Sequence, residues 1–378
     1  MNLSDFDYDL PQQRIAQWPL EKRDASRMLL LDRRSGAWED RQFRDFPDVL
    51  RGDELIVINN ARVLPARLWG HRKGVRAQPV GKNSPIRHEH LSAAVEVLLL
   101  RACGANEWEA LVRPGRKIPV GETLIFGDGE LQAEVVSCAG YGLRHLKFTC
   151  AGNLTEEIER LGHIPLPPYI KRDDSAVDRE RYQTVFARRG AAVAAPTAGL
   201  HFTPEILSRV RERGLEVAEI TLDVGLGTFE PVRTERLEDH HIHTETYEIP
   251  PSTADAITRA HAEHRPVLAV GTTVVRALED AAEKCATGHD TTQRAPINAA
   301  ANEKLTIAAG CAEADIFLFP GKPFRIVDQL LTNFHLPRSS LLALVAGFAG
   351  RENVLRAYRH AVEAEYRFYS YGDCMGIR

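Results

Sequence analysis

A block of short, closely spaced apolar runs sits inside a chain whose flanks alternate helical and extended patterns, and that contrast limits the possible folds. Between Ala94 and Cys150 the runs AAVEVLLL, WEALV, ETLIF, ELQAEVV and RHLKF are separated by glycine-containing turns. Such spacing predicts a small all-β unit, a barrel or a sandwich. After Gly152 the pattern changes. Thr203-Pro204-Glu205 reads as an N-cap, a first-turn proline and an early acid; Ile206, Leu207 and Val210 form an apolar face, and Gly214 stops the helix. The strand LEVAEITLDV follows, then a helix capped by Ser252 or Thr253, then the buried strand PVLAV, which feeds through Gly271-Thr272-Thr273 into a helix near Val274. FRIVDQLLTNF reads as a further strand and Arg351 to Glu365 as a last helix. Helix–strand alternation favours an α/β domain with a mixed, largely parallel sheet. The strand signals MLLLD and ELIVIN, before residue 60, belong to that domain. The expected division is therefore an α/β domain from residues 1–60 and 152–378, interrupted by an inserted smaller β domain at 61–151. A length of 378 residues also favours two cores over one.

Composition removes several classes. Hydrophobic residues are 44% and charged residues 26%, ordinary for a globular protein, and no apolar run is long enough to span a bilayer. The first residues, MNLSDFDYDLPQQRIAQ, carry early acids and no apolar signal core. The six cysteines, Cys103, Cys138, Cys150, Cys285, Cys311 and Cys374, form no C-x-x-C pair, which argues against a zinc ribbon or disulfide scaffold. A reducing cytoplasm is expected. A net charge of −4 counts against general coating of nucleic acid but permits one basic face. Gly70 to Ser92 and Ala286 to Glu303 read as surface loops.

Several turns could carry chemistry. APTAGLHFT (Ala195 to Thr203) leads into a helix N-terminus, where free N–H groups suit an anion; Gly199 would admit a ligand and His201 could move a proton. In VGTTVVR, Gly271, Thr272 and Thr273 would cradle a carboxylate or phosphate, with Arg276 one turn on. In LTNFHLPRSS, Asn333 and His335 sit where a strand runs out, the usual ligand end of an open α/β sheet. VGLGTF contains Gly225 and Gly227 but lacks the third glycine of a dinucleotide loop. EDHHIHTE sets His241 and His243 on one face of an extended segment, without a third ligand at zinc spacing, so no metal is expected. The stretch Tyr169 to Arg189, with Lys171, Arg172, Arg181, Tyr182 and Gln183, mixes cations with aromatics and suits RNA; a solvated charged surface is the plainer reading. Arg113, Arg116 and Lys117 add a basic turn to the β unit. By themselves these signals support an α/β enzyme handling an anionic substrate.

Taken together, FDYDLP, RIAQWP, NNARVLPARL, LVRPGRK, GHIPLPPYIKR, DRERYQTVFA, APTAGLHFT, VGLGTFEPV, HIHTE, VGTTVVRALE, TNFHLPRSS and YRFYSYGD occur in fixed order along the chain. The set closely resembles the S-adenosylmethionine:tRNA ribosyltransferase-isomerase family of the queuosine pathway. The resemblance implies an inserted β-barrel, and an enzyme that consumes S-adenosylmethionine as a ribosyl donor. The acceptor would be 7-aminomethyl-7-deazaguanine at the wobble position of a tRNA with a GUN anticodon. Products would be epoxyqueuosine-tRNA, adenine and methionine, with no metal or other cofactor. A cytoplasmic monomer without membrane contact is expected.

Such a reaction needs a base for a proton on the carbon beside the sulfonium, a donor to the departing adenine, and a neutral acceptor amine. Two or more groups titrating near neutrality are therefore wanted. His201 and His335 are the first candidates, with His241 and His243 behind them. The Gly271-Thr272-Thr273 turn and Arg276 would hold the methionine carboxylate, and Thr197 and Gly199 would line the nucleoside site. The basic residues named above would grip the anticodon stem-loop. Two positions depart from the family pattern: Asp223 stands where a histidine usually precedes VGLGTF, and Arg338 where an acid usually follows TNFHLP. The competing readings are an S-adenosylmethionine-dependent RNA methyltransferase, which lacks its glycine-rich fingerprint, and a non-catalytic RNA-binding protein.

Overall fold

A computed structural model of the chain describes residues 1–74, 93–225, 234–240, 242–287 and 307–378. Most of Gly70 to Ser92 and of Ala286 to Glu303 lies outside the described residues, as do Gly227 and His241.

Nine strands form one sheet in the order Gly310–Ala314, Glu245–Ile249, Glu216–Leu222, Leu55–Asn59, Val267–Val270, Gln329–Asn333, Cys374–Ile377, Arg27–Leu31 and Trp38–Gln42. The sheet is mixed, as expected, but less parallel than helix–strand alternation suggested. The four strands from Glu216–Leu222 to Gln329–Asn333 run parallel, as do Cys374–Ile377 and Arg27–Leu31; the remaining neighbours are antiparallel. The two middle strands, Leu55–Asn59 and Val267–Val270, are buried at every residue. Continuous burial follows from cover on both faces. Alternate residues feed different cores. Leu55, Val57, Val267, Ala269 and Leu330 meet the helices Pro251–Ala262, Thr272–Thr287, Ser340–Ala349 and Arg351–Glu363 on one face. On the other, Ile56, Ile58, Leu268, Val270 and Leu331 meet Phe43, Phe46, Phe202 and, through Ile206 and Val210, the helix Pro204–Glu212.

The second unit is a closed six-stranded antiparallel barrel in the order Leu143–Cys150, Glu107–Arg113, Val95–Gly104, Arg67–Arg72, Thr123–Phe126 and Leu131–Cys138. Of the two β architectures open from spacing, the barrel forms. Closure removes the sheet edges that would otherwise seek a partner. Its core includes Val97, Ala110, Leu124, Phe126, Ala133, Leu146 and Phe148.

Local chemistry explains most boundaries. The Thr203 hydroxyl accepts from the Ile206 amide at 3.2 Å, the N-cap read from sequence. Ser252 and Thr253 do not cap: the helix opens at Pro251, and the Thr253 hydroxyl donates instead to the Glu219 carbonyl at 2.7 Å. The strand within FRIVDQLLTNF shortens to Gln329–Asn333, because the amides of Arg325, Ile326 and Val327 turn toward the Glu279 carboxylate. The helix Ser340–Ala349 is apolar on all sides and so lacks the amphipathic period that reveals a surface helix.

The barrel joins the sheet unit where the helix Leu154–Leu161 ends. Arg67 and His163 exchange backbone hydrogen bonds at 2.8 and 3.2 Å. A methyl group added at Gly162 would lie 1.9 Å from the Pro65 carbonyl oxygen and 2.5 Å from that of Ile158. Backbone cannot yield as a flexible side chain does, so Gly162→Ala should lower stability by about 1–3 kcal/mol. Urea unfolding would show this as a lower midpoint; an unchanged midpoint would mean that the junction shifts freely.

Candidate functional site

The parallel strands Leu55–Asn59, Val267–Val270 and Gln329–Asn333 end together, and the turns that follow them meet. The Gly271 amide donates to the Leu331 carbonyl at 2.8 Å, and a Cβ at Gly271 would lie 3.8 Å from that of Ala198. Gly271 has φ +98°, open to glycine without strain. The 3₁₀ turn Thr197–His201 thus packs beside the start of the helix Thr272–Thr287. Three motifs far apart in the chain are brought to one strand-tip region, as the sequence reading expected.

His201 is buried there. Its Nε2 lies 3.2 Å from Asn333 Oδ1 and its Nδ1 2.7 Å from Ser26 Oγ. The Asn333 Nδ2 donates to the Tyr369 carbonyl at 2.8 Å, so its oxygen faces the imidazole. The consistent assignment puts the proton on Nε2, leaving Nδ1 to accept from Ser26. Burial lowers the His201 pKa to about 4; the Asn333 bond opposes this, and the nearby Arg23 and Arg367 cations add to it. His335 is buried too, its Nε2 2.8 Å from Thr332 Oγ1, and burial lowers its pKa to about 3. Both imidazoles are neutral at pH 7. They can accept or relay a proton but do not titrate near neutrality, contrary to the expectation for an acid–base pair.

Other sequence candidates are engaged within the protein. Gly199 makes room for protein rather than ligand: a Cβ there would sit 2.7 Å from the Phe186 ring and 2.8 Å from Thr184 Cγ2. Arg276 is buried in an ion pair with Glu245 and donates to the carbonyls of His243 and Ala314 at 3.1 and 3.2 Å. It is not presented to a free carboxylate. Glu245 also accepts from the Gly225 amide at 3.2 Å. His243 is exposed. Thr272 is buried, whereas Thr197 is half-exposed. No group of three or more potential metal ligands occurs among the described residues.

The basic stretch divides in the same way. Arg172 makes a two-pronged pair with Asp178 at 2.7 and 2.8 Å and lies 3.5 Å over the Trp18 ring. Burial alone would raise the Asp178 pKa; hydrogen bonds from Arg172, Tyr371 and Ser175 prevail and hold it at about 2. Arg181 donates to the Glu21 carbonyl at 2.9 Å, Tyr182 is fully buried, and Gln183 brackets both backbone groups of Val63 at 3.0 and 2.6 Å. These four hold the fold. Lys171, Arg113, Arg116 and Lys117 stay exposed.

Unsatisfied hydroxyls mark one sequence candidate, Thr273, and two residues that motif reading left aside. Thr273 Oγ1, Thr184 Oγ1 and the Tyr369 hydroxyl are buried without a hydrogen-bond partner. Such groups are costly in a closed core and are expected where a ligand completes them. Tyr369 also has φ +72°, a strain of about 1–3 kcal/mol for an aromatic residue, and stacks on Tyr169 at 4.3 Å. Its signal in the sequence is YRFYSYGD, three tyrosines and a serine in eight residues. Ser26 has no comparable sequence signal.

A family model described as queuosine biosynthesis protein matches residues 3–377. The chain belongs to this family. It is 54% identical to the S-adenosylmethionine:tRNA ribosyltransferase-isomerase of Solibacter usitatus and 47% identical to that of Moorella thermoacetica, each over 100% of both chains. Among solved structures it is similar to the S-adenosylmethionine tRNA ribosyltransferase of Thermotoga maritima, with 31% identity and a TM-score of 0.51, covering 99% of this chain and 100% of that one.

Asp223 and Arg338 both sit against other segments of the chain. The Asp223 carboxylate lies against Gly190: a Cβ at that glycine, whose φ is +86°, would be 2.1 Å from Asp223 Oδ1. Arg338 pairs with Asp7 of FDYDLP, its Nε donating at 2.8 Å, so its charge is matched from the N-terminal segment.

The neutral histidines make stability depend on pH. With native pKa values of about 4 and about 3 against an ordinary 6.5, the unfolded chain binds more protons between pH 6.5 and 4. Stability should therefore fall as pH drops from 7 to 5, by about 2 kcal/mol for each histidine. His201→Asn, though weaker at pH 7, should lose less over that interval in urea unfolding. Equal losses for both proteins would contradict a neutral native His201.

Proposed function

We propose that this protein transfers and isomerises the ribosyl moiety of S-adenosylmethionine onto 7-aminomethyl-7-deazaguanine at the tRNA wobble position, in a GUN anticodon. Epoxyqueuosine-tRNA is the product, with adenine and methionine released. The observation that carries this reading is the match to named relatives from end to end, at 54% identity to the first of those above. The convergence of strand-tip turns supports it.

In this reading the neutral His201 accepts a proton through the Ser26 hydroxyl, with Asn333 holding the ring. A substrate cation nearby would keep the imidazole neutral, so it serves as base and not as the acid that assists adenine. The free hydroxyls of Thr273, Thr184 and Tyr369 would bind the polar edges of the donor. Lys171, Arg113, Arg116 and Lys117 would take RNA phosphates. The division into an α/β body at 1–60 and 152–378 and an inserted barrel domain at 61–151 is supported by barrel strands that begin at Arg67 and end at Cys150. We also propose a cytoplasmic monomer that needs no metal or other cofactor. No described helix is long and apolar enough to cross a membrane.

Incubation with S-adenosylmethionine and tRNA bearing the aminomethyl base should release adenine and methionine in equal amounts and form a new nucleoside in the digested tRNA. S-adenosylhomocysteine in their place would mean methylation. Retained tRNA binding without turnover would leave a binding module. Charge reversal of the exposed barrel turn, Arg116→Glu with Lys117→Glu, should weaken tRNA binding about tenfold or more and reduce its salt dependence by about two charges. An unchanged affinity would remove that turn from the RNA interface.

A further inference from the structure

A cavity of about 530 Å³ lies away from the strand-tip region. Glu54, Pro266 and Asp328, which line it, immediately precede the strands Leu55–Asn59, Val267–Val270 and Gln329–Asn333. It therefore opens at the opposite end of the parallel strands, about 15 Å from their tips for strands of four or five residues. Its volume falls in the range of small-molecule sites.

The lining is of two kinds. Leu30, Phe46, Val49 and Leu268 are among its apolar lining. Gly376 faces Leu30 across the paired strands; a Cβ there would lie 3.1 Å from the Leu30 methyl group, so the absent side chain lets Leu30 pack against the Gly376 backbone.

The rim is cationic, with five arginines against three carboxylates. Each carboxylate already serves the backbone. Asp32 accepts from the Arg34 and Ser35 amides, Glu54 from those of Arg51 and Gly52, and Asp328 from that of Val267. Arg265 and Arg51 are paired with acids outside the cavity, Glu216 and Asp53. Arg34 is exposed, and its guanidinium makes no ion pair among the described residues. On the helix Pro251–Ala262, His261 adds a buried Nε2 without a hydrogen-bond partner. An apolar slot beside an uncommitted guanidinium and an unsatisfied imidazole nitrogen suits a ligand with a flat ring and an anionic group.

We propose that this cavity binds a nucleoside monophosphate unit, its base against the apolar lining at Leu30 and Val49 and its phosphate at Arg34. The site is separate from the one assigned to the donor nucleoside and does not depend on that assignment. The unit has two possible sources with the same chemistry, a free nucleotide or a nucleotide of an RNA strand.

Calorimetric titration of the full chain with uridine 5′-monophosphate, in the presence of saturating S-adenosylmethionine, tests this. Binding is expected, with uridine and inorganic phosphate each at least tenfold weaker than the nucleotide. Arg34→Glu, at an exposed turn, should weaken nucleotide binding at least tenfold, and Val49→Trp, which fills the slot, should abolish it. Release of adenine from the donor should be unchanged in Arg34→Glu. Competition by a short single-stranded oligonucleotide would identify RNA as the source; absence of competition would identify the free nucleotide. No binding at millimolar nucleotide, or equal binding to wild type and Arg34→Glu, would overturn the proposal.

Discussion

The side-chain amide of Asn333 links three segments of chain that are otherwise distant. Its nitrogen binds the Tyr369 carbonyl and its oxygen faces His201, which in turn reaches Ser26. Asn333 can do this because it ends a strand buried from Leu330 onward, where alternate residues are committed to opposite cores and the last side chain is left at the tip. If the strand slipped by one residue, Asn333 would exchange places with an apolar neighbour and the chain of polar contacts would be broken. The region therefore depends on sheet register more than on any local loop.

Burial decides the electrostatics of that region. Removing an imidazole from water disfavours its charged form, and the pKa values of about 4 and about 3 for His201 and His335 express that cost. The same principle explains why Arg276 and Arg172 are paired: a guanidinium this deep needs a carboxylate, and Glu245 and Asp178 supply it. The hydroxyls of Thr273, Thr184 and Tyr369 are buried without a hydrogen-bond partner, and Ser26 and His201 bond each other. Polar groups prepared in advance in a closed environment are well suited to stabilise charge that develops during a reaction.

Much of the fold could be read from the chain. Regular apolar spacing predicted five of the six barrel strands, whereas Arg67–Arg72 runs into a stretch read as a loop from Gly70; Thr203-Pro204 predicted a helix start that the structure contains. The motifs at Ala195, Val270 and Leu331 were expected to meet, and they do. The roles of individual residues were less legible. Arginine followed by tyrosine and glutamine in the Tyr169 to Arg189 stretch looks the same in sequence whether it faces RNA or staples its own backbone. Gln183 does the latter, bonding both backbone groups of Val63. Gly199 likewise signals a close approach without saying that the approaching group is Phe186.

Periodicity, capping residues and the order of motifs are local properties, carried by neighbours within a few bonds. They determined the strand and helix content, the presence of an embedded β unit and the family. Tertiary structure alone decided which polar groups are satisfied. Whether Arg276 meets Glu245, whether His201 meets Ser26, and whether Arg34 is left uncommitted are questions of contact between residues tens to hundreds of positions apart. Burial and pairing set their charge and availability, and neither is encoded in any short stretch of sequence.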